Sequence, residues 1–138
     1  MQHLLQIQNI LCRYDPDPKV CPVVDDLSFV LEPGEIGCLL GSSGCGKTTV
    51  LRSIAGFHPI EAGSITLNGK LLSSRSHHLA PEKRHIGMVF QDYALFPHLS
   101  VCQNITFGLQ KMSARARETV CEELLDLVQL KGFGNRYP

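Results

Sequence analysis

Gly41-Ser42-Ser43-Gly44-Cys45-Gly46-Lys47-Thr48 places glycines at fixed offsets ahead of a lysine and a hydroxyl, the spacing G-x-x-x-x-G-K-[ST] that cradles polyphosphate. Glycine allows backbone N–H groups to curl around phosphate oxygens with no Cβ in the way. Lys47 brings a mobile ammonium, and the Thr48 hydroxyl is suited to ligate magnesium. These residue types in this order point to a nucleoside triphosphate as ligand.

A phosphate loop needs a strand before it and a helix after it. Gly34-Glu35-Ile36-Gly37-Cys38-Leu39-Leu40 is a short apolar run that predicts a buried parallel strand. From Thr48 to Ala55, Val50, Leu51 and Ile54 recur at helical spacing and Gly56 suits the C-terminal cap. Such a helix turns its free amides and positive dipole end toward the phosphates, a contribution of about 0.3–2 kcal/mol.

The flanking segments read as follows. Residues 3 to 14 and 20 to 31 predict strands joined by Asp15-Pro16-Asp17-Pro18, and Pro33-Gly34 marks a turn. Asn68-Gly69 between Gly63–Leu67 and Lys70–Leu72 predicts a hairpin. Residues 73 to 85 read as a connection in which His77 and His78 are solvated, and His85 to Phe90 as a second apolar strand ending at Gln91. Ser100 with Gln103 suits a capping box for a helix running to Phe107. Val120, Cys121, Leu124, Leu125 and Val128 make the apolar face of a longer helix, with Gly132 as its stop.

Composition excludes several classes. The chain has 138 residues, 43% apolar and 19% charged, with zero formal net charge and no basic stripe, so a nucleic-acid partner has no electrostatic support. No run approaches about eighteen apolar residues and no basic-then-apolar leader opens the chain, so neither a membrane span nor a signal peptide is expected. Cys12, Cys21, Cys38, Cys45, Cys102 and Cys121 form no C-x-x-C pair and read as reduced, buried thiols. Cys45 is the exception: beside phosphates, a helix N-terminus and Lys47, its thiolate is favoured, and bound nucleotide should block its alkylation.

Five stretches together carry a family resemblance: Gly41 to Thr49; Leu51-Arg52-Ser53-Ile54-Ala55-Gly56-Phe57; Gly63 to Gly69; Pro81-Glu82-Lys83-Arg84-His85 running to Gln91; and Leu95-Phe96-Pro97-His98-Leu99-Ser100-Val101. Over essentially its whole length the chain resembles the ATP-binding subunits of ABC transporters. The resemblance implies an α/β fold: a P-loop NTPase core with an antiparallel β subdomain and the start of a helical subdomain, incomplete. It makes Tyr14 the ring that stacks on adenine, and Gly41, Ser42, Ser43, Gly44, Cys45, Gly46, Lys47, Thr48 and Thr49 the phosphate loop. Thr48 and Gln91 become the magnesium-side pair, with Gln91 also orienting the attacking water. Tyr93, Leu95, Phe96 and Pro97, an apolar cluster unusual for solvated surface, become a groove for a short helix of the membrane-spanning partner; a small buried satellite core is the alternative.

Relatives in this family continue into an L-S-G-G-Q signature, an apolar strand ending in Asp-Glu, and a switch histidine, none of which occurs in residues 1 to 138. The resemblance therefore implies the N-terminal part of a nucleotide-binding domain, expected to turn over negligible ATP by itself. The complete protein is expected to bind ATP and Mg2+, to form a homodimer, and to drive import through a membrane permease. It would sit peripherally on the cytoplasmic face of the inner (plasma) membrane, with a periplasmic or extracellular solute-binding protein acting indirectly. Phe90 to Leu99 with Arg136-Tyr137-Pro138 look most like ferric-iron importers, with polyamine, sulfate and sugar importers as alternatives. A non-hydrolytic nucleotide-binding or inactive interaction protein is the alternative of another class. A GTPase is disfavoured because no Asn-Lys-x-Asp motif is present.

Overall fold

Leu5 and Ile7, then Ile10 and Cys12, all face the interior of the first strand, β1 (Leu5–Cys12), although the two pairs differ in phase by one residue. A bulge at Gln8 and Asn9 makes the correction. The register slips between Ile7 and Ile10, Asn9 adopts φ 46°, and its amide side chain donates to Asp26 at 2.6 Å. One inserted residue turns the following side chains back to the core face.

The computed structural model describes residues 3–17 and 19–138, which fall into two units, Met1–Met88 and Val89–Pro138. In the first unit, β1 lies between β2 (Val24–Leu31) and β3 (Ala62–Leu67), followed by β4 (Lys70–Ser74) and β5 (His77–His78), every pairing antiparallel. The hairpin expected at Asn68-Gly69 is present, both residues having positive φ as a tight two-residue turn of this hand requires. The β1 residues, Val24, Ile65 and Leu72 form the core, joined by Val50 of helix α1 (Lys47–Ala55) and by Ile60.

Helix α1 stops as its sequence foretold, at Gly56 with φ 92°. What clamps the end is Arg84, 2% exposed. Its guanidinium donates to the carbonyls of Ser53 (2.8 Å) and Ile54 (3.0 Å) in the last turn of α1, to Leu79 O (2.7 Å) and to the Ser73 hydroxyl (2.7 Å). A cation at a helix C-terminus satisfies orphan carbonyls and opposes the dipole. Burial lowers the Arg84 pKa from its ordinary value, yet a guanidinium keeps its charge at neutral pH. Gly56 makes room for it, since a Cβ there would lie 2.5 Å from Arg84 Nε.

Several expectations are corrected in this unit. Residues 36–40 and 85–90 are not strands: among the described residues neither has a ladder partner, and Ile36, Leu40 and Val89 are 97%, 87% and 87% exposed. Apolar β-branched composition favours extended backbone, but a strand exists only through hydrogen bonds to a neighbour. Leu39 and Ile86 alone in these runs pack against the core. His78 is not merely solvated: it lies in β5, its Nε2 donates to Gly56 O at 3.1 Å, and its Nδ1 faces an Arg84 donor at 3.4 Å. A carbonyl only accepts and a guanidinium only donates, which selects this tautomer.

In the second unit, α2 (Val101–Ile105) starts at the expected capping box, with Gln103 N donating to Ser100 Oγ and Ser100 N to Gln103 Oε1. It ends earlier than expected, and Phe107–Leu109 form a separate 3-10 turn. Helix α3 (Ala114–Leu127) buries only Cys121 and Leu125, leaving Leu124 and Val128 exposed. It ends before Gly132, because Gln129 takes φ 60° and Leu130 N donates to Leu125 O at 2.7 Å, closing the helix with a non-glycine residue in the left-handed region. Cys102 and Cys121 are not free thiols. They are bonded, tying α2 to α3, while Cys12 is buried and Cys21, Cys38 and Cys45 are exposed. Spacing along the chain does not show which helices will bring two cysteines together.

Candidate nucleotide site

Residues 41–45 form an exposed loop ahead of α1, Gly46 is buried, and the Lys47 side chain turns back to the loop. The Lys47 ammonium donates to the carbonyls of Gly41 (2.8 Å) and Ser42 (2.6 Å) and lies 3.4 Å from Cys45 Sγ. A charge held there by exposed loop carbonyls is placed where an anion entering the loop would meet it.

Gly46 is the N-cap of α1 at φ 91°, with no side chain capping the helix and no acidic residue in the first turn. The orphan amides and the positive dipole end are thus left uncompensated, the condition under which a helix N-terminus takes a phosphate. Glycine is required at this position. A Cβ on Gly46 would lie 2.6 Å from the Val23 carbonyl oxygen, and that contact is backbone, which cannot yield. Thr48 is exposed beside Lys47, whereas Thr49 is 4% exposed and faces inward. A cleft of about 220 Å3 next to the loop is lined by Val23, Leu27, Leu40, Cys45, Lys47 and Val50.

Tyr14 follows β1 and reaches the same helix. Its hydroxyl lies 3.1 Å from Thr49 Oγ1, its ring centroid is 4.7 Å from that of His58, and the residue is 60% exposed. The ring is anchored at its hydroxyl and against His58 and stays largely exposed. Of the expected site residues, Tyr14 and 41–49 come together in the first unit. Gln91 lies in the second, exposed and outside helix and strand.

The 93–97 cluster also lies in the second unit. Tyr93 is 74% and Leu95 53% exposed, and Phe96 stacks on Phe107 at 4.4 Å between centroids. Tyr93, Leu95, Phe96 and Phe107 line a groove of about 480 Å3 with Val101 and Ile105, whereas Pro97, expected with them, does not line it. Asn104 of α2 holds its rim, accepting from Phe96 N at 2.9 Å and donating to Phe96 O at 3.1 Å. The satellite-core alternative does not describe residues this exposed.

Sequence reasoning missed Arg84 and His58. Arg84 stands inside a quoted motif, but nothing in the string marks it as buried. His58 follows the Gly56 cap with no periodicity to single it out.

A glycine-forced, uncapped helix N-terminus with a centred ammonium defines the class of phosphate-loop nucleotide sites. A family model described as ABC transporter matches residues 24–138, and the chain belongs to this family. It is 44% identical over 137 residues to the spermidine/putrescine import ATP-binding protein PotA of Pseudomonas fluorescens, covering 97% of this chain and 37% of that protein. It is 43% identical over 136 residues to the Fe(3+) ions import ATP-binding protein FbpC of Fusobacterium nucleatum, covering 97% and 34%. The chain thus spans little more than a third of the length of these curated relatives. In fold it is similar to the ATP-binding cassette MJ0796, solved as a dimer in a post-hydrolysis state bound to ADP and Pi. The TM-score is 0.81 at 23% identity, over 97% of this chain and 61% of that one. The fold is that of a partial α/β P-loop NTPase domain, with the antiparallel sheet of the first unit beside the phosphate loop.

Proposed function

We propose that the protein is the ATP-binding subunit of an ABC importer, and that residues 1–138 supply the phosphate-loop part of its nucleotide-binding domain. The observation that carries this is the Lys47 ammonium held by the loop carbonyls ahead of a helix whose N-terminus has no side-chain cap. Lys47 exchanges its loop carbonyls for phosphate oxygens, the amides of 41–49 bind the remaining charge, and the exposed ring of Tyr14 stacks on adenine. Pre-set donors of this kind stabilise the charge that develops during phosphoryl transfer. Bound magnesium would neutralise phosphate charge, and the exposed Thr48 hydroxyl of the first unit is the group that would hold it. Gln91, in the second unit, is the residue that the family resemblance assigns to magnesium and to the attacking water.

The subunit works as a homodimer on a membrane permease, with a solute-binding protein acting indirectly. A peripheral place on the cytoplasmic face of the inner (plasma) membrane is supported by the likeness to import ATP-binding proteins. The 93–97 groove receives the permease. The cargo is a polyamine in the first reading, supported by the likeness to PotA, and ferric iron in the second, supported by the likeness to FbpC.

The test is MgATP hydrolysis by the full-length protein. Lys47→Ala is expected to lower it at least about 100-fold while leaving the circular dichroism spectrum unchanged. Turnover within a few-fold of the parent protein would refute the reading.

A further inference from the structure

We propose that His58 is a positioning residue for base recognition: its ring, packed under Tyr14, fixes the tyrosine so that the open face presents a flat platform to adenine. This rests on the reading that Tyr14 stacks on the base.

His58 is 9% exposed, and its Nε2 is shut from solvent with no hydrogen-bond partner. A buried polar atom left unpaired is a cost that a leucine of similar volume would not carry. The ring does make one specific contact. Its centroid lies 4.7 Å from that of Tyr14, with the planes inclined by 51°. Both partners lie in bends outside helix and strand, close to anchored elements. The His58 segment is fastened between the Gly56 cap and Ile60, 5% exposed, and the neighbouring Glu61 N donates to Leu11 O at 2.8 Å, next to the end of β1.

Tyr14 is thereby restrained at two points, through its hydroxyl at Thr49 and its ring at His58, while remaining 60% exposed. A tyrosine has two side-chain torsions, and both contacts restrain them. Stacking a base on a ring already fixed avoids the ordering cost of a mobile one, a difference of about three- to tenfold in affinity. Phosphate binding by residues 41–49 gains nothing from this contact.

The experiment compares the full-length protein with His58→Leu and His58→Phe, both of which fill the site. Equilibrium affinities are measured for MgATP and for magnesium tripolyphosphate, which carries no base, together with the melting temperature without ligand. His58→Leu is expected to melt no lower than the parent protein, to bind MgATP about three- to tenfold more weakly, and to bind tripolyphosphate equally well. His58→Phe, which restores a ring, is expected to retain the parent preference for MgATP. Equal loss for both ligands, no loss for MgATP, or identical MgATP affinities in the two variants would overturn the inference. If the parent protein binds tripolyphosphate as tightly as MgATP, base stacking on Tyr14 falls, and the inference with it. If it binds neither, the ATP-site reading itself fails.

Discussion

Cys45 and Cys12 carry the same thiol in opposite surroundings. Cys12, at the end of β1, is wholly buried; burial raises its pKa above the ordinary thiol value, opposed by a hydrogen bond with Ser53 and reinforced by the charge of Glu61. Such a thiol keeps its proton and is inert. Cys45 is exposed, 3.4 Å from the Lys47 ammonium and next to the start of α1. Brief treatment with N-ethylmaleimide followed by peptide mass spectrometry is expected to find Cys45, Cys21 and Cys38 labelled and Cys12 untouched. MgATP is expected to protect Cys45 and not Cys21. Equal Cys45 labelling with and without nucleotide would contradict the placement of phosphate in the loop.

The element that orients the site is α1, and it is held at both ends by different physics. Its N-terminus is open for a ligand, while its C-terminus is closed by Arg84, whose donors reach α1, β4 and the Leu79 carbonyl. Arg84→Met is expected to destabilise the full-length protein by about 3 kcal/mol, because several buried acceptors lose their donor together. Urea denaturation measures this; a loss below about 0.5 kcal/mol would show that water replaces the guanidinium. Arg84→Lys is expected to recover only part of the loss, since an ammonium lacks the planar fork that serves separate carbonyls. In the second unit the Cys102–Cys121 bond does for α2 and α3 what Arg84 does for α1, fixing a short element that buries little surface of its own.

For the molecule as a whole, the proposed phosphate loop and the proposed docking groove lie in separate units. Leu95→Glu places a charge in the groove of the second unit and leaves residues 41–49 unaltered in sequence. Co-purification of the full-length protein with its permease is expected to fall at least about tenfold, one desolvated charge being sufficient for that, while MgATP affinity stays unchanged. Undiminished co-purification would place the partner elsewhere. Cargo is decided by transport: uptake of radiolabelled putrescine against ferric iron by the assembled complex separates the two importer readings.

What the sequence by itself determined is what depends on neighbours along the chain. The glycine spacing of 41–48, the Gly56 cap, the Asn68-Gly69 turn and the Ser100–Gln103 box are settled by backbone sterics within a few residues, and each is found where the string places it. Tertiary structure decided the rest. Ile36 to Leu40 and His85 to Phe90 have the composition of strands, but a strand depends on a partner that composition does not name. Arg84 looks like a surface cation until five surrounding groups from α1, β4 and the loop before it converge on it. Cys102 and Cys121 are joined only because α2 and α3 bring their Cα atoms to 5.6 Å, and His58 meets Tyr14 only because the chain returns to the end of β1. Contacts between residues far apart in the chain follow from packing, and packing is a property of the folded whole.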